Sequence, residues 1–261
     1  MEVNPSLRVS TMTYISNLNT EIDLKRLFDS VKIDDNLTYI EYGAMNQKGH
    51  KGSKSSKPRK IEKKKFFYNQ ITAHIYEDKI VNVKIFNNGK IQMTGIKNKG
   101  QGDRVIEKVI MIIKMIETDV LESILTNCDL HPDEGKIAMI NTDFDCGFKL
   151  KREILQRIVT DKGYYSSFEP TIYPGVNIKY YFNKERQDTG ICNCIGKCNG
   201  KGKDGYCKKI TVAVFNSGKI IITGGQSYEQ LNTAYDFINN ILVDNKNILI
   251  LNENKGHDPQ Q

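Results

Sequence analysis

No run of about 18 apolar residues, the length a bilayer-spanning helix needs, occurs in the 261-residue chain. The opening Met1-Glu2-Val3-Asn4-Pro5 also lacks the basic-then-apolar order of a secretory signal, so the expectation is a soluble intracellular protein without membrane contact. Histidine is scarce, at four residues. No Ser/His/Asp set, Walker loop or paired-carboxylate motif accompanies them, which argues against hydrolase chemistry and against an enzyme. Acid is scarce locally. Across residues 43–65, Lys48, Lys51, Lys54, Lys57, Lys60, Lys63, Lys64, Lys65 and Arg59 face only Glu62, and this segment supplies much of the formal charge of +7. Such an excess suggests an anionic partner. The segment is rich in Gly and Ser and has no periodicity, so it reads as a long flexible loop. Its lysines are open to three readings: a solvated loop, phosphate contacts, or a nuclear-import signal.

Cysteines are few but unevenly placed. Cys128 and Cys146 stand alone, whereas Cys192, Cys194, Cys198 and Cys207 form C-x-C-x3-C-x8-C with Gly196, Gly200, Gly202 and Gly205 between them. Four thiolates so spaced can converge on one tetrahedral ion, and one structural zinc is expected there; free or redox-active thiols and disulfides are the other readings.

One motif occurs twice, as Phe-Asn-Asn-Gly-Lys-Ile-Gln-Met-Thr-Gly at 86–95 and Phe-Asn-Ser-Gly-Lys-Ile-Ile-Ile-Thr-Gly at 215–224. Each copy follows an alternating apolar run and precedes a helix-spaced stripe, so half the chain copies the other half. The first repeat is 1–125, with the basic insertion at 43–65. The second is 126–261, with a cysteine-rich insertion at 183–209. Alternation turns Val81, Val83 and Ile85 towards the helices and Asn82, Lys84 and Phe86 away; in the second repeat Val212 and Val214 point in, and Thr211, Ala213 and Phe215 point out. The fold class is therefore α+β, with each repeat a sheet covered on one face by helices. The other face, with small, β-branched and amide side chains ending in a Phe, suits a shallow groove of nucleic acid.

The order of elements and several strings resemble the TATA-box-binding protein family. They are Ser166-Ser167-Phe168-Glu169-Pro170-Thr171-Ile172-Tyr173-Pro174-Gly175, the two Phe-x-x-Gly-Lys-x-x-x-Thr-Gly segments, and Ile22-Asp23-Leu24-Lys25. The resemblance spans roughly residues 8–242 without the insertions. It implies a pseudo-twofold saddle of curved antiparallel sheet that binds AT-rich double-stranded DNA in the minor groove and bends it. Implied partners are a transcription factor IIB-like protein and the RNA polymerase machinery. By the same resemblance Phe86 and Phe215, with Tyr173 and Tyr68, are the wedges that pry base steps apart, Phe67 being the neighbour Tyr68 could be confused with. Thr94, Thr223 and Ile221 match groove positions, and His74 and Lys179 fall where the family carries arginines. Thr11 and Met139 stand where it has asparagines, which leaves minor-groove binding expected and strict TATA preference not. Glu169, Thr171 and Ile172 lie in the segment that meets the IIB-like factor. The implied location is the nucleus, or a cytoplasmic viral replication compartment, since the inserted form looks like family members encoded by large DNA viruses. The alternative is a saddle-fold scaffold in transcription that has lost specific DNA binding.

Overall fold

The alternating runs fold as strands and the helix-spaced stripes as helices. The computed structural model describes residues 4, 6–43, 46–50, 67–127, 130–185 and 189–251. In chain order the elements are β1 (Arg8–Asn17), α1 (Leu24–Ser30), β2 (Leu37–Tyr42), β3 (Asn46–Gly49), β4 (Gln70–Glu77), β5 (Lys79–Phe86), β6 (Lys90–Ile96) and α2 (Lys99–Asp119). The second half gives β7 (Lys136–Asp145), α3 (Arg152–Asp161), β8 (Tyr165–Ser167), β9 (Val176–Phe182), β10 (Lys208–Val214), β11 (Lys219–Gly225), α4 (Tyr228–Asp244) and α5 (Lys246–Leu249). The chain divides into two compact units, Thr11–Ala138 and Met139–Gln261, the latter taking in Met1–Ser10.

In the first unit the antiparallel strand order is β3-β2-β4-β5-β6-β1, and in the second β7-β11-β10-β9-β8. The long helix follows the repeated motif in both. Asn98 Oδ1 caps α2 by accepting from Gln101 N–H at 2.8 Å, and Ser227 Oγ caps α4 through Gln230 N–H at 3.4 Å. Behind the first sheet Val81, Val83, Ile85 and Met93 are buried with Val105, Val109 and Ile113 of α2; behind the second, Val212, Val214, Ile220 and Ile222 are buried with Leu231, Ala234 and Ile238 of α4. Burial of these apolar stripes drives each sheet and helix together. The expected α+β architecture is the one observed.

The repeats fill one core position differently. Tyr14 in β1 is fully buried, and glycines stand on its ring: a Cβ on Gly102 would lie 2.6 Å from Tyr14 Cδ1, and one on Gly135 2.4 Å from Cε1. Burial, then a hydrogen bond to the Asp103 carboxylate, pushes the Tyr14 hydroxyl up to about 12. Counting from the shared Thr-Gly of the motif, the second unit has Thr142 and Leu231 at these positions, so large and small have changed places.

The segment after β2 departs from the sequence reading. Asn46–Gly49, expected within a flexible loop, is a short strand on the edge of β2. Its tie is Lys48, whose ammonium donates to the carbonyls of Phe28, Asp29 and Val31 at 2.6, 2.9 and 3.0 Å and lies 5.0 Å from the Phe28 ring centre. A cation on the last carbonyls of α1 satisfies groups that the helix leaves open. Gly49 closes the turn at φ +80, where a Cβ would come 2.2 Å from Thr38 O. Neither contact leaves a periodic trace in sequence. The remaining lysines of the basic insertion, Lys51 to Lys65, lie outside the described residues.

Candidate nucleic-acid interface

Antiparallel partners point to the same side of a sheet, so the pairing registers place the helix-free side chains in rows. In the first unit one row runs Thr13, Thr94, Asn82, His74, Tyr39, and the next Ile15, Gln92, Lys84, Thr72, Glu41. In the second unit the corresponding rows are Thr223, Thr211, Lys179, Tyr165 and Asp143, Ile221, Ala213, Asn177, Ser167. Thr94 and Thr223 thus occupy the same place in the two units. Gln92 and Lys84 answer to Ile221 and Ala213, so the first face is the more polar.

At one end of each face lies the Phe of the repeated motif. Phe215 is half-buried and meets Tyr173 edge-on, with ring centres 5.7 Å apart. Gly175 lies beneath both rings, where a Cβ would stand 3.0 Å from Tyr173 Cε1 and 3.2 Å from Phe215 Cε1. In the first unit Phe86 is half-buried opposite Gln70, and Tyr68 is 66% exposed, its ring edge-on to Tyr42 at 6.2 Å, with Phe67 exposed beside it. The second unit therefore has its Phe and Tyr assembled as one ring pair, while in the first Tyr68 leans on the end of β2.

Other candidates are partly engaged by the protein itself. His74 keeps 9% of its surface exposed, with its ring 5.0 Å from that of Tyr39. Lys179 donates to Asn177 Oδ1 at 2.8 Å and Thr211 Oγ1 at 3.0 Å; burial, then the neighbouring charge of Lys209, lowers its pKa. Thr11 Oγ1 accepts from Gly95 N–H at 2.9 Å, next to the irregularity between Met12 and Thr13. Met139 is half-buried in the first half of β7. Glu169, Thr171 and Ile172 are exposed on a turn closed by Ile172 and Tyr173 N–H groups donating to Glu169 O, and Ile172 is 83% exposed. Arg152 steadies that turn, donating to Pro174 O and lying 4.8 Å over the Phe168 ring.

Two features of the faces were not singled out from sequence. Asn82, Lys84 and Gln92 could be placed outward by alternation, but the registers of β4 with β5 and of β5 with β6 decide that Asn82 stands in the row of Thr94 and His74, and Lys84 and Gln92 in the next. The other is an acid on the second face. Asp143 accepts from both Nε and Nη2 of Arg8, at 2.8 Å for the shortest contact, and from Ser10 Oγ at 2.6 Å. Burial opposes its ionisation, yet the Ser10 hydroxyl and the Arg8 guanidinium hold the carboxyl below its ordinary range. A depressed folded-state pKa contributes stability above the unfolded value, about 3.9, and that contribution is lost as pH falls through the folded one. Because the Arg8 side chain is 74% exposed, solvent screens the pair. Arg8→Ala should therefore cost about 1 kcal/mol at pH 7 and much less near pH 2. Urea midpoints at both pH values check this; an equal loss at each would rule out the ion pair as the cause.

The cysteine-rich insertion joins β9 to β10, at the end of those strands away from Tyr173 and Phe215. The four Sγ atoms of Cys192, Cys194, Cys198 and Cys207 lie within 4.8 Å of one another, with 3.4 Å from Cys194 to Cys207 and 4.0 Å from Cys192 to Cys207. A zinc ion with Zn–S bonds of about 2.3 Å needs tetrahedral S···S edges of roughly 3.8 Å, so the cage fits after small adjustments. Gly200 N–H donates to Cys198 Sγ at 3.4 Å and Asn183 Nδ2 to Cys207 Sγ at 3.8 Å, contacts that favour thiolate. Burial pushes the Cys207 thiol up to about 12, so a bound ion must displace its proton. The cluster could hold a metal ion.

Comparison with known proteins gives consistent likenesses. Residues 136–245 match the family model described as transcription factor TFIID (or TATA-binding protein, TBP). A TATA-box-binding protein-like protein of Acanthamoeba polyphaga mimivirus is 29% identical over 254 residues, 91% of this chain and 65% of that one. TATA-box-binding protein 2 of Entamoeba histolytica is 24% identical over 169 residues, 65% of this chain and 62% of its own. The chain thus spans slightly under two thirds of the length of these curated relatives. The solved structure of Methanococcus jannaschii TBP aligns with a TM-score of 0.56 at 19% identity, covering 92% of this chain and 99% of that one, a likeness that shows the fold.

Proposed function

We propose that this chain, a divergent relative of the TATA-box-binding proteins, is a transcription initiation factor that binds AT-rich double-stranded DNA through the minor groove and bends it. The observation that carries this reading is the pair of helix-free faces, each built of matched rows around Thr94 or Thr223 and each ending in the Phe of the repeated motif. Minor-groove readout distinguishes mainly A·T from G·C, and small apolar and amide side chains suffice for it. Bending adds selectivity through the deformability of the site, which does not require asparagines at Thr11 and Met139. Of the wedges, Phe215 with Tyr173 is already assembled, and Phe86 with Tyr68 supplies the second pair. His74 on β4 and Lys179 on β9 add polar contacts on the two faces.

In this reading the exposed turn bearing Glu169, Thr171 and Ile172 receives a transcription factor IIB-like protein, which brings in RNA polymerase. The four cysteines hold one structural zinc ion. The protein has no catalytic role and works in the nucleus or in a viral replication compartment. No described helix is long and apolar enough to cross a membrane.

Asp143 on the second face is the observation that favours the rival, a scaffold without specific DNA binding, although Arg8 neutralises it. A gel shift with circularly permuted AT-rich probes separates the two. Bending predicts mobility that depends on where the site sits in the fragment. Uniform mobility, or no complex with duplex DNA, would leave the scaffold reading.

A further inference from the structure

The cysteine insertion has a second feature besides its sulfur cage. Residues 189–209 carry Lys197, Lys201, Lys203, Lys208 and Lys209 against one acid, Asp204, and none of these lysines forms an ion pair among the described residues. Lys209 differs from the rest in its position. It is exposed and belongs to β10 in register with Tyr181, two residues before Thr211, so its side chain emerges on the helix-free face. Its charge reaches Lys179 on that face, whose own hydrogen-bond partners are the neutral Asn177 and Thr211. Two ammonium groups without a carboxylate between them make a place for an anion.

The cage holds this lysine in position. Gly200, two residues after Cys198, accepts Lys209 N–H at 2.9 Å, and its bare Cα rests on the lysine stem: a Cβ there would be 2.8 Å from Lys209 Cβ. Lys201 bridges to Lys208, and Gly202 N–H donates to Cys207 O at 3.1 Å, so the stretch after Cys198 runs as an added strand along the start of β10. The stretch turns on residues of positive φ, at Gly196, Gly200, Gly202, Asp204 and Gly205. Glycine-rich chain of this kind loses much entropy on ordering, and four metal–thiolate bonds are the interaction available here to offset that loss.

We infer that the four-cysteine insertion is a zinc-dependent phosphate contact: the ion orders residues 192–207, and the ordered strand presents Lys209 beside Lys179 to the DNA backbone at the outer edge of the second face. This rests on the minor-groove reading above and adds to it a contact that carries no sequence information. One phosphate contact contributes about 0.9 to the slope of log affinity against log salt on duplex DNA.

The test uses the full chain purified without added metal or chelator, zinc measured by elemental analysis, and binding of an AT-rich duplex measured across a salt series. The parent should carry about one zinc, and the Cys194→Ser/Cys198→Ser variant should lose it. Lys209→Gln should keep the zinc, and both variants should show a slope lower than the parent's by about 0.9. Zinc absent from the parent, or retained in full by the double-serine variant, overturns the metal site. Zinc present with an unchanged slope in Lys209→Gln overturns the phosphate contact while leaving the minor-groove reading intact. A parent that binds no duplex at all removes both readings together.

Discussion

A duplex bent by the parent protein should lie close to straight when bound by the Phe86→Ala/Phe215→Ala variant. Unstacking a base step costs a few kcal/mol, and bending a site of 20–30 base pairs adds roughly 1–6 kcal/mol. Burying a Phe side chain recovers about 1.5–3 kcal/mol, so two of them are comparable with the deformation they are asked to support. Removing both shifts the balance towards the unbent complex, with affinity lower by roughly 100-fold or more. The salt dependence should change little, because the substitution removes two apolar rings and no cation that could neutralise a phosphate. Energy transfer between dyes on the two duplex ends reads the bend directly, and unchanged transfer at saturation would end the wedge assignment. Tyr173→Phe is the useful companion. It keeps the ring that meets Phe215 at 5.7 Å and removes only the hydroxyl, so bending should persist.

The second large effect concerns the core of the first unit. Gly102→Leu should destabilise by about 3 kcal/mol, since overpacking commonly costs 1–3 kcal/mol or more and Tyr14 is fully buried with nowhere to turn. Replacing a helix glycine ordinarily gains about 1 kcal/mol, so the sign of the result decides whether the ring contact dominates. Tyr14→Thr alone leaves a cavity and should cost about 3–5 kcal/mol. The double variant Tyr14→Thr/Gly102→Leu copies the pair found at Thr142 and Leu231, and should lose clearly less than the sum of the singles. Denaturant midpoints of the four proteins measure the coupling, and additive losses would mean that the two positions do not exchange volume.

Both results would depend on features legible to different degrees. The repeated Phe motif and the alternation around it place Phe86, Phe215, Thr94 and Thr223 on one kind of face without any coordinates, because the pleat has a period of two whatever the partner strand. The alternating runs were legible as strands for the same reason, but the strand at Asn46–Gly49 was not. It has no alternation, and it is held by Lys48 reaching back to the carbonyls at the end of α1, seventeen to twenty residues earlier.

What the sequence determined alone is thus local: a chain of two repeats, α+β in class, with a helix-free face and four cysteines close in number along the chain. Tertiary structure decided the rest. Irregular pairing between Met12 and Thr13, Leu37 and Tyr39, and Ile222 and Gly225 sets which outward residues stand in one row. It is also where Arg8 meets Asp143, where Tyr14 finds glycines instead of side chains, and where four sulfur atoms from fifteen residues of separation come within 4.8 Å. Except for the sulfur cluster these are distances between segments remote along the chain, and all of them follow from register and packing, which no local propensity encodes.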